Sequence, residues 1–577
     1  MRAICFLLLL LILIGGCDGP SSQPETLSEP TQLDDQVGLK RFGSATELAA
    51  FLTELNNMSR SAGGTSPPVA VTVGDVAAGA ADSLAQEGGF STTTIQEIGV
   101  DESDVVKNDG TYLYVLKNAE VRIVKAQPAE TIQQVSSIKI DGSSTALYLR
   151  NNMLIALSRT TIPEGPVIPI GPDGLPIPFI PKTIVTVIDT SNRSAPQIKR
   201  TITLDGSLKD SRLIGKKLHL ILNESLPRSA GAISSGQLND ILPAFVETIP
   251  GGSTQSGLIA GPTSFYRPVE ISGEGISIPV GSSFAFGTTF TSVASINLDD
   301  PSAPIESLSV FVRSGILFAS QKALYLASTA CRGCAPFAIQ TESTEVHKVA
   351  LTERGPIYVA SGIIPGQPLD QFSFSEQNDF LRVATTINQG PSNNLFVLSD
   401  SANRLGIVGR IENIARGERL RSARFVGDRG FLVTFRQVDP LFTLDLSDPA
   451  RPRVAGELKV PGFSTFILPI SDTELLTVGQ DADLAGIPLG LQLSIFDVSN
   501  FANPILKHKV VTGEQGTFSE ALSTPKAFTY FARRQVLALP IRETGANRSL
   551  TFVGLIVYHA NGQVGFELLG RINTGIN

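Results

Sequence analysis

The sequence contains no tryptophan, only three methionines, four cysteines and four histidines. Without tryptophan, Ser-x-Asp-x-Gly-x-Thr-Trp boxes resembling those of sialidases cannot be written. The tryptophan docking on which quinoprotein dehydrogenases lean is excluded as well. No Gly-x-Ser-x-Gly occurs, which removes the nucleophile elbow of a serine hydrolase domain. Charged residues make up 17% of the chain and the formal charge is -8, with no basic block. Nucleic acid and electrostatic docking on anionic lipid are therefore not expected partners. The histidines, His219, His347, His508 and His559, stand far apart. They read as packed or solvent-facing residues.

The cysteines are just as sparse. Cys5 falls in an apolar N-terminal run, Cys17 follows it, and Cys331 and Cys334 form one CxxC in "TACRGCAP". The last two are expected to close a small disulfide loop in an oxidising compartment. Gly333 and Pro336 surround them with turn chemistry rather than the helix start of a redox CxxC. Zinc would need further soft ligands that the chain does not supply.

The chain opens "MRAICFLLLLLILIGGCDG". Its apolar run falls short of the roughly 20 residues of a spanning helix and reads as a signal peptide over residues 1–16. Ile14-Gly15-Gly16-Cys17 resembles a bacterial lipobox, which makes Cys17 the expected lipidation site and the mature N-terminus. The product would be exported and anchored in a membrane, on its periplasmic or cell-surface side. Residues 17–40 are polar and Pro- and Ser-rich, a flexible tether. Residues 41–90 hold a helix and a linker: Ser44 and Glu47 form a capping pair, and Leu48, Phe51, Leu52 and Leu55 recur at helical spacing.

With 53 Gly and 36 Pro beside many Val, Ile and Thr, the remainder suits short strands and tight turns. From residue 91 a unit recurs: strand, tight turn, strand, then apolar-Asp-x-Ser-x-x-x-x-Pro and another strand. "VIDTSNRSAPQIKRTITL", "TLDLSDPARPRVAGELKV" and "IFDVSNFANPILKHKVV" are copies. The Asp should accept the N–H groups of the turn it opens, and the Pro should direct the chain into an edge strand. Each unit is about forty residues plus insertions, the size of a four-stranded propeller blade. The expected fold is an all-β propeller over 91–577. Eight blades is the preferred count and seven the alternative, with the first unit spanning 98–140. Two insertions, 160–182 and 226–289, lack strand alternation and read as loops able to bind or merely tolerated.

"STTTIQEIGVDESDVVKNDGTYLYVL", "ENIARGERLRSARFVGDRGFLVTFRQVDPLFTLDLSDPARPRVAGELKVPGFS" and "GLQLSIFDVSNFANPILKHKV" resemble the secreted bacterial and archaeal β-propeller family distantly related to WD-40 repeats. The resemblance implies a propeller and export. It implies no reaction. Members similar to this chain often continue with a further strand pair, which leaves ring closure open.

Asp101, Glu102 and Asp104 crowd the opening of the first unit, with Lys107 a partner for Asp104 or Glu102. They are expected to be structural. A calcium or other hard-cation site and a ligand contact in the central funnel are the alternatives. No other cofactor is indicated. The leading function is a lipid-anchored, monomeric cell-envelope scaffold binding a protein, peptide or glycan through its loops. The rival is a carboxylate-based hydrolase or lyase, with or without calcium, in the funnel. At least two carboxylates and an Arg lining one concave pocket would favour the enzyme. A broad apolar loop surface would favour the binder.

Overall fold

A computed structural model describes residues 36–61, 93–163, 179–225, 232–252, 254–272, 275–277, 289–312, 314–330, 342–388, 390–435, 439–483 and 487–574. Cys17, Cys331 and Cys334, most of the tether and the centre of the 160–182 insertion lie outside these residues.

Strands group into eight four-stranded antiparallel meanders, at 106–139, 143–205, 207–310, 316–365, 374–414, 419–460, 463–512 and 529–573. The expected eight blades are present, seven built from consecutive strands and the third interrupted between its second and third strands by the 226–289 insertion. Turn chemistry sets the repeat. Asp445 accepts from Ser447 N at 3.1 Å and Ser447 Oγ at 2.7 Å, and Asp189 and Asp300 bind Ser191 and Ser302 in the same way. Asp497 accepts from Ser499 N at 2.8 Å. The serine hydroxyl first, and then the backbone N–H, hold these carboxyls below their ordinary range.

Buried apolar clusters cement neighbouring blades. Tyr114 and Ile123 of blade 1 meet Leu147 and Ala156 of blade 2, and the series continues to blades 7 and 8, where Phe466 and Leu476 meet Phe528 and Ile556. Among the described residues none of the clusters joins blade 8 to blade 1. The burial pattern shows the same seam. The second strand of blade 3 is buried at nearly every position, whereas Val536–Thr544 in blade 8 and Glu120–Lys125 in blade 1 alternate buried with part-exposed residues. In blade 8 the partly covered face is apolar, with Val536, Ala538 and Pro540, whereas in blade 1 it carries Glu120 and Arg122.

Three sequence expectations change. Gln36–Arg41, placed largely in the tether, is a strand paired with Phe265–Ser272. The 226–289 insertion is not a passive loop. Ala244–Thr248 and Thr254–Leu258 extend blade 2, and Phe265–Ser272 pairs in parallel with the outer strand of blade 3. Its Leu238 and Phe265 pack with Phe290 and Phe311 of blade 3 against Leu48, Phe51, Leu52 and Leu55 of the helix Ala45–Ser61. The insertion escapes period-2 reading because its strands are short and pair with edges. Finally, the first blade begins at Val106, not at residue 98. The residues before it go elsewhere.

Candidate functional site

Residues 94–104 run across the axis of the ring. Val100–Asp101 adds a two-residue strand to the inner edge of blade 3, and Asp104 bridges Leu147 of blade 2 through N–H···O bonds of 3.0 and 2.6 Å. Gln321 of blade 4 donates to Ile98 O at 2.7 Å. Gln96 Nε2 donates to the Gln371 and Phe374 carbonyls at the start of blade 5, and Arg424 of blade 6 donates to Gln96 O at 3.4 Å. Lys526, ahead of blade 8, reaches Ser103 O, and Thr94 Oγ1 reaches Phe528 O at 3.5 Å. Six blades thus grip one segment. Gly99 is required where it passes Gln321: its φ is +78°, and a Cβ would meet Gln321 Nε2 at 2.7 Å.

The acidic residues of this plug do not converge. Asp101 pairs with Lys107 Nζ at 2.8 Å, and the same ammonium donates to Glu102 O at 2.6 Å, so the partner is neither Asp104 nor the Glu102 carboxylate. Asp104 Oδ1 accepts from Val105 N at 2.7 Å. Glu102 is 2% exposed and its Oε1 accepts from Gln96 N and Gln371 Nε2. Its Oε2 has no hydrogen-bond partner, with Lys526 Nζ at 4.0 Å. Burial raises the Glu102 carboxyl, and Arg212 and Lys526 only partly oppose it. Arg212 donates to Asp210 at 2.5 Å and to Gln371 Oε1 at 3.1 Å. Burial works against its charge, but Asp210 and Glu102 outweigh that and keep its pKa above the ordinary value. Among the described residues no three His, Cys, Asp or Glu side chains gather as a metal site.

The plug closes the middle of the ring and floors a cleft of about 410 Å³. Gln96, Glu97 and Ile98 form one wall. The turns between first and second strands of blades 4, 5 and 6 form the others, with Lys322, Asp379 and Gly427 at their tips, and Glu376, Arg382 and Arg424 line the interior. In a four-stranded meander these turns lie on one face and the connections between second and third strands on the other. Both insertions belong to the second kind, so the cleft opens on the face opposite the loops expected to bind. Glu376 accepts from Tyr325 OH at 2.7 Å and from Ser320, with Lys348 Nζ at 3.3 Å, while Lys348 also meets Asp400 at 2.9 Å. Asp379 pairs with Lys322 at 3.0 Å.

Arg212, Gln371, Arg382 and Arg424 were not legible as site residues from the sequence pattern. A partial signal was available: Arg212 and Arg424 each stand three residues before a turn glycine, Gly215 and Gly427, near the ends of the first strands of blades 3 and 6. Such a position points at the axis. Of the four histidines, His219 and His347 are core residues, and His508 and His559 are part-exposed. His219 Nδ1 meets Ser295 Oγ at 2.7 Å and His347 Nδ1 meets Ser361 Oγ at 2.6 Å, both across paired strands.

The family model described as "Beta propeller domain" matches residues 90–577. An uncharacterized protein of Archaeoglobus fulgidus is 25% identical over 592 aligned positions, covering 90% of this chain and 88% of the relative. Another of Methanocaldococcus jannaschii is 25% identical over 512 positions, covering 78% and 74%. Among solved structures, the periplasmic gluconolactonase of Pseudomonas aeruginosa matches with a TM-score of 0.32 at 13% identity over 49% of this chain and 79% of that one. Hsv2 of Kluyvelomyces marxianus matches with a TM-score of 0.32 at 9% identity over 71% and 99%.

Proposed function

The chain belongs to the Beta propeller domain family, and from that premise we propose that it is an exported, lipid-anchored envelope module that binds a polar ligand, glycan or peptide, in the cleft above its plugged axis. The observation that carries this reading is the commitment of the carboxylates. Glu376 and Asp379 are engaged by lysines and hydroxyls, and Glu102 is buried within the plug. A general acid or base needs a proton-exchanging oxygen within reach of substrate. A binding surface needs only fixed donors and acceptors, which these pairs provide.

The lipid anchor rests on the lipobox, with Cys17 as the modified residue. Calcium and the hydrolase or lyase reading remain the second proposal, favoured by one feature: the cleft does hold three carboxylates, Glu97, Glu376 and Asp379, with two arginines.

The test is a glycan and peptide array probed with wild-type protein and with Ile98→Trp, which fills the cleft mouth from a side chain 51% exposed. Binding by the wild type that falls at least tenfold in Ile98→Trp is the expected result. Equal binding by both would place the ligand elsewhere, and turnover of a bound array component would restore the enzyme. In parallel, Cys17→Ser should move the protein from the membrane to the soluble fraction with an unchanged melt.

A further inference from the structure

Resting on the reading of the cleft as the ligand site, we propose that the ligand is an acidic saccharide and that Arg382 is the residue that takes its carboxylate. Arg382 lies on the second strand of blade 5, Phe380–Ile387, with its side chain in the cleft interior and 3% of its surface exposed. Its Nη2 donates to Ser375 Oγ at 2.6 Å and its Nη1 to Gly427 O, and the guanidinium stacks 5.4 Å from the Phe425 ring. Nε has no acceptor.

The neighbouring lysines are already paired with carboxylates. Lys322 pairs with Asp379, Lys348 with Glu376 and Asp400, and Arg424 holds Gln96 O. No carboxylate of the described residues stands in ion-pair contact with Arg382. Burial draws its pKa down to about 10, and Glu97 and Asp428 are near enough only to oppose that in part. A guanidinium always carries its charge in a protein. A buried one without a counter-ion is costly, and the cost is relieved when a ligand carboxylate fills the remaining N–H directions.

The rest of the lining selects the body of the ligand. Gln377, Asn378 and the Lys322–Asp379 pair stand at the rim. They offer donors and acceptors in pairs, as sugar hydroxyls require. The apolar lining is Ile98, Phe425 and Val426, of which Phe425 is buried under Arg382, so there is no row of apolar pockets for alternate peptide side chains. An acidic peptide becomes an outcome of the test.

The experiment uses the full-length, detergent-solubilised protein. It is probed against an array of oligogalacturonates, oligoglucuronates and oligomannuronates, each beside its methyl ester, together with peptides carrying free or amidated C-termini. The acid form of at least one uronate series should bind at least tenfold more tightly than its ester, and that preference should vanish in Arg382→Gln and survive in part in Arg382→Lys. Each variant is first shown to melt cooperatively. Should Arg382→Gln fail that check, Arg382→Lys with the acid-to-ester ratio decides. A preference that persists in Arg382→Gln, or one that is full in Arg382→Lys when Gln does not fold, overturns the proposal. Acid and ester bound equally, with loss in Ile98→Trp, would sink the carboxylate claim while keeping the cleft. Peptide binding without uronate binding would sink it too. If nothing on the array binds, the cleft reading itself fails and takes the proposal with it.

Discussion

Replacing Arg212 with Met is expected to lower stability by about 3–5 kcal/mol, the range for stripping one partner from a buried ionic network. The guanidinium satisfies Asp210 and Gln371 directly and offsets the buried charge of Glu102. Gln371 in turn bonds Glu102, and its carbonyl receives Gln96. Removing the centre of this chain should release the plug from blades 3 and 5 together, so the loss should appear as a lower denaturation midpoint. The double variant Arg212→Met with Glu102→Gln should recover part of it. A fall of under about 1 kcal/mol in the single variant, the size of an ordinary surface substitution, would contradict the plug's structural role.

Acidification should destabilise the protein through two buried imidazoles. Burial and Lys217 push His219 down to about 4, and burial pushes His347 down to about 3. The unfolded chain takes up these protons near the ordinary histidine pKa of about 6.5, so the stabilisation is fully present above that pH and is lost as pH falls toward the folded values. At about 1.4 kcal/mol per unit, the effect is on the order of 3 kcal/mol for His219 and somewhat larger for His347 once both folded values are passed. Three carboxyls, Asp370, Glu224 and the Glu102 already described, work in the opposite direction. Burial raises Asp370 to about 6 and Glu224 well above its ordinary range, so each favours the folded state on the acid side. The histidine share is therefore isolated by variants. His347→Gln should flatten the pH dependence of the melting temperature between pH 6.5 and 4.5 relative to wild type. Identical slopes would show that His347 is protonated in the folded protein.

The blades were legible because their signal is local and repeated. Asp189, Asp445 and Asp497 each announce a third-to-fourth strand turn within a few residues, and alternation marks the strands on either side. The plug was not. Val100–Asp101 is too short to show any period, and its partner, Leu213–Ile214, lies over a hundred residues away. The acidic run at 101–104 looked like a cluster, yet Asp101, Glu102 and Asp104 turn to Lys107, Gln371 and a backbone N–H in three directions. Only Asp101 of the three lies in a strand, so no regular face gathers their side chains. The cleft residues come from three neighbouring blades and the plug, a juxtaposition that only the packing of blade on blade creates. The 226–289 insertion was misread because strands that pair with an edge need not alternate.

The central claim is that the acidic segment at 101–104 is structure and that ligand recognition belongs to the cleft it floors. Glu102→Gln tests it most directly. The substitution keeps the Oε1 acceptor for Gln96 and Gln371 and replaces the carboxyl oxygen that has no hydrogen-bond partner, at a carboxyl whose pKa burial already raises. Array binding and the thermal melt should be measured on the same preparation. The account expects both to match wild type. A variant that melts like wild type and no longer binds would make Glu102 the working residue of the site and overturn it.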